Sequence, residues 1–201
     1  MTEKTERRAL LAVVASALVA QPARAADRAG EVQSSRGECF ALSASSRRAL
    51  TPSEAVFIGD TVGTGVQSAL GLHLGSATEV RLGQQARLRI DRFLINAGGT
   101  LVMEQGGMLL DHDTAKAGAA NIAVRSPFGL IAVRGTRFFA GPSNGVFGVF
   151  VERGVVLVVG VDQAVLVESG MGTNIAQPGA EPSGPAPWGT ARVAAAMASV
   201  M

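Results

Sequence analysis

From about residue 58 to residue 173 the chain places apolar side chains at every second position and interrupts them repeatedly with glycine. Leu70, Leu72 and Leu74 alternate with small or polar residues, Val80 and Leu82 with Glu79 and Arg81, and Leu88 and Ile90 with Arg87, Arg89 and Asp91. A period of two puts one set of side chains on a buried face and the other in water, which is the signature of a β-strand. Further on, residues 122–124, 130–133, 146–151, 155–159 and 164–167 are continuous apolar runs rich in valine. Such runs predict strands covered on both faces. Glycines recur between the runs from Gly59 to Gly172, and turns at intervals of roughly eight to twelve residues are the spacing of a sandwich, barrel or solenoid.

No stretch from 55 to 173 keeps a 3.6-residue period over three turns. Helix is confined to about 47–56, where Thr51-Pro52-Ser53-Glu54 has the form of a helix start: a capping Thr, Pro at the first position and Glu at the third. The fold class expected is all-β, a twisted β-solenoid-like or two-sheet sandwich of many short strands with a short helix near 51–56. Three segments, Met103-Glu104-Gln105-Gly106, Val151-Glu152-Arg153-Gly154 and Val167-Glu168-Ser169-Gly170, share an apolar-Glu-x-Gly pattern. Each reads as a strand ending in a solvated carboxylate, followed by a glycine free to take positive φ and turn a hairpin.

The N-terminus sets the compartment. Lys4, Arg7 and Arg8 precede an uncharged apolar run from Ala9 to Ala20, Pro22 breaks it, and Ala23-Arg24-Ala25 is a small-x-small cleavage pattern. Crossing a bilayer takes ~20 apolar residues, so residues 1–25 are expected to be a signal peptide, not an anchor. Export follows the Sec route or, given Arg7-Arg8-Ala9-Leu10-Leu11, the twin-arginine route, from whose pattern Glu6 departs. The whole chain has 18 basic and 16 acidic residues; the four basic and two acidic residues of the leader leave 14 of each. A neutral mature chain carries no net excess of cations to displace counterions from phosphates, so no nucleic-acid partner is expected. The single cysteine, Cys39, has no internal disulfide partner and reads as a small buried hydrophobe. Residues 26–57 form a lead-in of strand and short helix, 58–173 the β domain, and 174–201 a Pro/Gly/Ala-rich tail in which Thr190 to Met201 has the composition of a short helix.

Two segments carry a family likeness. Gly59-Asp60-Thr61-Val62-Gly63-Thr64-Gly65 runs into the alternating leucines and a Gly75-Ser76 turn. Val124-Arg125-Ser126-Pro127-Phe128-Gly129 precedes Val133-Arg134-Gly135-Thr136-Arg137-Phe138, and Glu152-Arg153-Gly154 follows. In order and spacing these resemble the FecR domain over roughly residues 58 to 160. The resemblance implies a twisted β-solenoid-like fold, no cofactor, no catalysis, and a role in periplasmic signalling linked to iron uptake and sigma-factor control. The full regulators add a cytoplasmic segment, a membrane helix and a receptor-contacting lobe, so the expectation here is a stand-alone periplasmic FecR domain.

Read as residues, the motif positions are structural. Gly59 and Gly65 permit tight turns, Asp60 and Thr64 hydrogen-bond the backbone there, and Pro127 marks a strand boundary. Arg134-Gly135 suggests a bulge in which the guanidinium caps carbonyls or a carboxylate; a partner-binding arginine is the functional alternative. Gly135, Thr136, Glu152 and Gly154 complete the set.

The chemistry of catalysis finds no pattern. The pentapeptide Gly141-Pro142-Ser143-Asn144-Gly145 has the Gly-x-Ser-x-Gly spacing, but the apolar run 146–151 that follows it predicts a strand, not the helix that a nucleophile elbow needs, and Gly63-Thr64-Gly65 leads into a strand, not the helix N-terminus that a phosphate cradle needs. His73 and His112 are the two histidines; His73 falls on a wet strand face. Asp111-His112-Asp113-Thr114 reads as a solvated loop, because neighbours on an extended chain point to opposite sides and cannot share one ion. With no Tyr, and Trp188 in the tail, there is no sugar-stacking platform. No catalytic, cofactor or metal residue is assigned, and no small-molecule substrate is evident. The partner expected is another envelope protein; the alternative is a self-associating structural component of the envelope or its matrix.

Overall fold

The computed structural model describes residues 27–44, 46–94, 98–117 and 121–201. The expected signal peptide, residues 1–25, therefore lies outside the described residues. Among those described, no helix is long and apolar enough to cross a membrane.

Alternating hydrophobicity produces strands, and glycine corners distribute them between two nine-stranded sheets. β1 (Arg28–Arg36) belongs to sheet I, β2 (Cys39–Leu42) and β3 (Arg47–Ala49) to sheet II, β4 (Ala55–Phe57) to sheet I and β5 (Thr61–Thr64) to sheet II. The chain then advances mostly in pairs. β6 (Ala69–Leu74) and β7 (Thr78–Leu82) are a hairpin in sheet I, and β8 (Arg87–Leu94) pairs with β9 (Gly98–Gln105) in sheet II. β10 (Met108–His112) crosses alone to sheet I and is followed by the one-turn helix α1 (Thr114–Ala117). β11 (Asn121–Ser126) and β12 (Gly129–Val133) lie in sheet II, β13 (Arg137–Ser143) and β14 (Val146–Arg153) in sheet I, β15 (Val155–Val159) and β16 (Ala164–Glu168) in sheet II. β17 (Met171–Ile175), β18 (Ala186–Pro187) and the helix α2 (Thr190–Ala198) finish the chain over sheet I.

Sheet I has the order β18-β17-β14-β13-β10-β7-β6-β1-β4, and sheet II the order β16-β15-β12-β11-β9-β8-β5-β2-β3. Pairing is antiparallel except between β9 and β11, which run parallel because the chain visits sheet I between them. The winding is solenoid-like and its product is a two-sheet sandwich. The three Glu-x-Gly segments are not hairpins, as the sequence suggested. Each joins strands of different sheets, β9 to β10, β14 to β15 and β16 to β17, with Gly106, Gly154 and Gly170 at φ of +84°, +85° and +81°. A positive φ lets the chain turn the corner of the sandwich at no steric cost.

Between the sheets lies one apolar cluster drawn from both, including Val32, Leu72, Val80, Leu110, Phe138 and Val149 of sheet I and Val62, Leu88, Leu101, Val124, Val158 and Val167 of sheet II. Burial of each such side chain contributes about 1.5–3 kcal/mol. Sheet I has a second apolar face. Leu109, Phe139 and Phe150 neighbour one another across β10, β13 and β14, and they are covered by Trp188, Ala196 and Val200.

Three expectations are corrected. Residues 51–54 form a turn, not a helix start: the Glu54 amide donates to the Thr51 carbonyl at 3.1 Å, the Thr51 amide to Glu54 Oε2 at 3.3 Å, and Ser53 sits at φ +72°. The same capping chemistry closes a corner here because β3 and β4 lie in opposite sheets. Residues 174–201 are no solvated tail. Gly148 and Gly172 stand inside strands, where a Cβ on Gly148 would come 2.6 Å from Trp188 Cη2 and one on Gly172 would collide with the indole nitrogen. The two glycines form the slot that holds Trp188, which also stacks on Phe150 at 5.3 Å and lies under the Arg192 guanidinium at 3.5 Å. Finally, β14 is covered on both faces, but β15 and β16 are not. Their outward side chains Val155, Leu157 and Leu166 are 40, 38 and 56 % exposed.

Candidate functional site

The motif residues fall into two structural clusters and one cleft. At the β4–β5 corner, Gly59 (φ +92°) donates its N–H to the Ile90 carbonyl at 2.7 Å. Asp60 is 3 % exposed, and its Oδ2 accepts from Arg48 Nη2 at 2.6 Å and from the Phe57 amide at 3.0 Å. A buried carboxylate is tolerated because it is paired and hydrogen-bonded. Thr64 Oγ1 donates to the Gly83 carbonyl at 2.6 Å and accepts from the Ala86 amide at 2.9 Å, pinning the turn that delivers β8. Gly65 donates to the Glu38 carbonyl at 2.8 Å, and a Cβ there would press to 2.9 Å from the Glu38 carboxylate.

The second cluster joins the Arg134-Gly135-Thr136 segment to the Glu152-Arg153-Gly154 corner. Gly135 is at φ +64°. Thr136 is fully buried; its carbonyl accepts from the His112 amide at 2.9 Å, while its hydroxyl has no hydrogen-bond partner among the described residues. A Cβ on Gly154 would come 2.7 Å from Thr136 Cγ2, so this glycine is where two corners touch. Glu152 accepts from Arg137 Nε at 2.5 Å, and Asp111 accepts from Arg137 Nη1 at 3.1 Å and from Arg153 Nη2 at 2.6 Å. Burial opposes the Arg137 charge, but the hydrogen bonds and charges of Glu152 and Asp111 outweigh it and hold the guanidinium above its usual value. The capping role expected of Arg134 is taken by Arg137. Arg134 is exposed on a bend and forms no ion pair or hydrogen bond among the described residues.

The remaining titratable candidates are architectural. Asp111 and His112 belong to β10, not to a loop. Asp111 points outward to the arginines, while His112 points inward and shares a 2.9 Å hydrogen bond with Thr78 Oγ1. Alternation along the strand separates them, as the spacing argued. His73 lies on the outer face of β6, half-buried between the core-facing Leu72 and Leu74, and its Nδ1 has no hydrogen-bond partner among the described residues. Among those residues no group of three or more His, Cys, Asp or Glu is placed to hold a metal ion. Cys39 is buried. Its Sγ donates to the Ala69 carbonyl at 3.2 Å, and burial pushes the thiol up, opposed by a hydrogen bond with the Arg36 backbone and reinforced by the charge of Glu38.

Pro127 leads to a feature that strand patterning missed. The Ser126–Gly129 turn is held by Ser126 Oγ, which accepts the Phe128 amide at 3.2 Å. Phe128 projects against Phe147, with ring centroids 4.3 Å apart and planes 7° apart. Around this stacked pair, Met103, Pro127, Pro142 and Pro178 line a cleft of about 470 Å³, with Glu104, Gln105 and Gln177 among its polar residues. Prolines and aromatic rings offer rigid apolar walls, suited to an inserted apolar side chain. The signal in the sequence was Ser126-Pro127-Phe128; what it did not reveal was the distant Phe147 that completes the wall.

These observations define a two-sheet, hairpin-wound β domain with architectural polar residues and an apolar end cleft. Residues 60–157 match the family model described as FecR protein, and the matched segment draws strands from both sheets. In fold it is similar to a crystal structure from Parabacteroides distasonis ATCC 8503 described as a candidate anti-sigma factor, with TM-score 0.56 and 15 % identity, covering 67 % of this chain and 63 % of that one. A second structure of the same description gives TM-score 0.56 at 14 % identity, with 67 and 62 % covered. The chain therefore spans less than two thirds of those proteins. No curated protein matches it.

Proposed function

We propose that this protein is an exported, periplasmic FecR-domain protein that signals by protein–protein contact and feeds into control of a sigma factor. The observation that carries the reading is the FecR match over residues 60–157; the fold it shares with the Parabacteroides distasonis proteins is in keeping with it. Export is supported by the basic, apolar and small-x-small succession in residues 1–25. The end cleft is the contact we assign to the partner protein, which inserts an apolar side chain against Pro127 and the stacked Phe128–Phe147 wall.

Deletion of the gene, compared with its complemented strain, tests this by transcript profiling. The expected result is a change confined to genes under one alternative sigma factor, reversed by the wild-type copy but not by Phe128→Ser at equal protein level. Osmotic-shock fractions should contain the protein with a mass lacking residues 1–25. A cytosolic protein retaining those residues, or an unchanged transcript profile, would overturn the proposal.

A further inference from the structure

The four sheet edges are not alike. β4 and β3 are three residues long, and β3 carries Arg47 and Arg48. β18 has two residues and ends in Pro187, which has no N–H to donate. Short strands, charge and proline are the devices by which edges are kept from pairing with other chains. β16 has none of the three at its centre: it runs for five residues, Ala164-Val165-Leu166-Val167-Glu168, and its single charge sits at the end.

Its open side is also well defined. Gly160 donates its N–H to the Gln163 carbonyl at 2.8 Å, so that pair closes the β15–β16 hairpin. Counting in twos along the register, Val158 with Val165 and Val156 with Val167 are the hydrogen-bonded pairs. Ala164, Leu166 and Glu168 therefore direct N–H and C=O away from β15, and no backbone group among the described residues meets them. On the outer face beside that edge, Leu166 stands next to Leu157, and Leu157 next to Ala132. This apolar row reaches the edge and stops there.

We infer that β16 pairs antiparallel with β16 of a second copy of this chain, joining sheet II of both across a two-fold axis at Leu166. The occupant is fixed by self-complementarity. With the axis at Leu166, outward-directed residues meet outward-directed residues: Leu166 meets itself and Ala164 meets Glu168. That register engages all three positions and keeps the two Glu168 carboxylates from facing one another. The core-facing Val165 and Val167 then stand opposite each other across the joint, continuing the buried row. On the outer face the two Leu166–Leu157–Ala132 rows merge into one stripe. An isologous contact of this kind consumes its own edge and closes at two copies. The self-associating alternative thus becomes a discrete pair, not an extended matrix. The inference does not rest on the signalling proposal and stands or falls separately.

Sedimentation equilibrium of the purified protein tests it, with Leu166→Lys and Leu166→Glu as variants. The wild type should move from monomer to dimer with concentration and go no further. Each variant alone places like charges on the axis and removes two leucines from the joint, so its dissociation constant should rise ~100-fold. An equimolar mixture of L166K and L166E should regain dimerisation as a heterodimer, a rescue that misfolded variants do not show. A wild type that stays monomeric, dimers unaffected by either substitution, or a mixture with no gain would each overturn the pairing.

Discussion

At the scale of single residues, polar atoms inside this protein serve opposite ends. Asp60 is buried with a salt bridge to Arg48 and a backbone hydrogen bond, whereas Thr136 buries a hydroxyl with no partner among the described residues. Removing the first leaves the Phe57 amide and the Arg48 guanidinium without their acceptor; removing the second discards a group whose desolvation nothing offsets. Urea unfolding of Asp60→Ala should show a loss of about 2–4 kcal/mol, while Thr136→Val should change stability by less than about 1 kcal/mol or raise it. Equal losses in the two would contradict the hydrogen-bond assignments. The backbone bond of Asp60 was legible in the sequence because its partner, the Phe57 amide, belongs to the same corner, whereas its ion pair with Arg48 and the reach of Thr64 to Gly83 and Ala86 on the next turn were not. Nor was Arg134. A guanidinium reaches far enough that which of two arginines, 134 or 137, finds Asp111 and Glu152 depends on the register of β13 against β10 and β14, and that register is a long-range property.

At the scale of elements, strands and corners could be read from period and glycine, but the role of each glycine could not. Gly170 is needed for backbone angle alone and Gly106 and Gly154 for angle together with close approach; Gly148 and Gly172 are needed for the absence of a side chain under Trp188. Both kinds look identical in sequence, since the indole that needs the slot lies 16 residues or more further along the chain. The same limit hid the docking of residues 188–200, whose apolar face is meaningful only once the outer face of sheet I exists. It also hid the Phe128–Phe147 wall of the cleft. Gly148→Ala, whose new Cβ would stand 2.6 Å from the Trp188 ring, should cost about 1–3 kcal/mol by overpacking. In a Trp188→Ala background, itself destabilised by about 3–5 kcal/mol, the added methyl should cost far less. Thermal denaturation of the two single variants and the double variant gives the coupling; additive effects would mean that the ring does not occupy the slot.

At the scale of the whole molecule, one apolar cluster draws on nearly every strand, and the outer layer is fastened to sheet I by Trp188, the chain's one tryptophan. The outer layer and the sandwich therefore stand as a single cooperative unit. Indole fluorescence, which reports the strap, and far-ultraviolet circular dichroism, which reports the sheets, should trace coincident urea transitions with one midpoint. A fluorescence change that precedes loss of the sheet signal would show the strap to be a separate unit. The all-β class was legible from the start, because period and punctuation are local, while the two-sheet sandwich stood beside a solenoid-like winding until the long-range pairing was known. The exposed Val155, Leu157 and Leu166 were not, since a valine-rich strand reads the same whether or not a layer covers it.

The alternation of hairpins between the sheets restricts how proteins of this design can change in length. Deleting one hairpin shortens a single layer and strips the opposite layer of the side chains it packs against, so the loss is felt on both sides. Removing a consecutive pair, one from each layer, keeps the facing surfaces matched. Growth and shrinkage are therefore tolerated in steps of about four strands, and a natural variant shorter or longer by two would need some other element to cover the uncovered row.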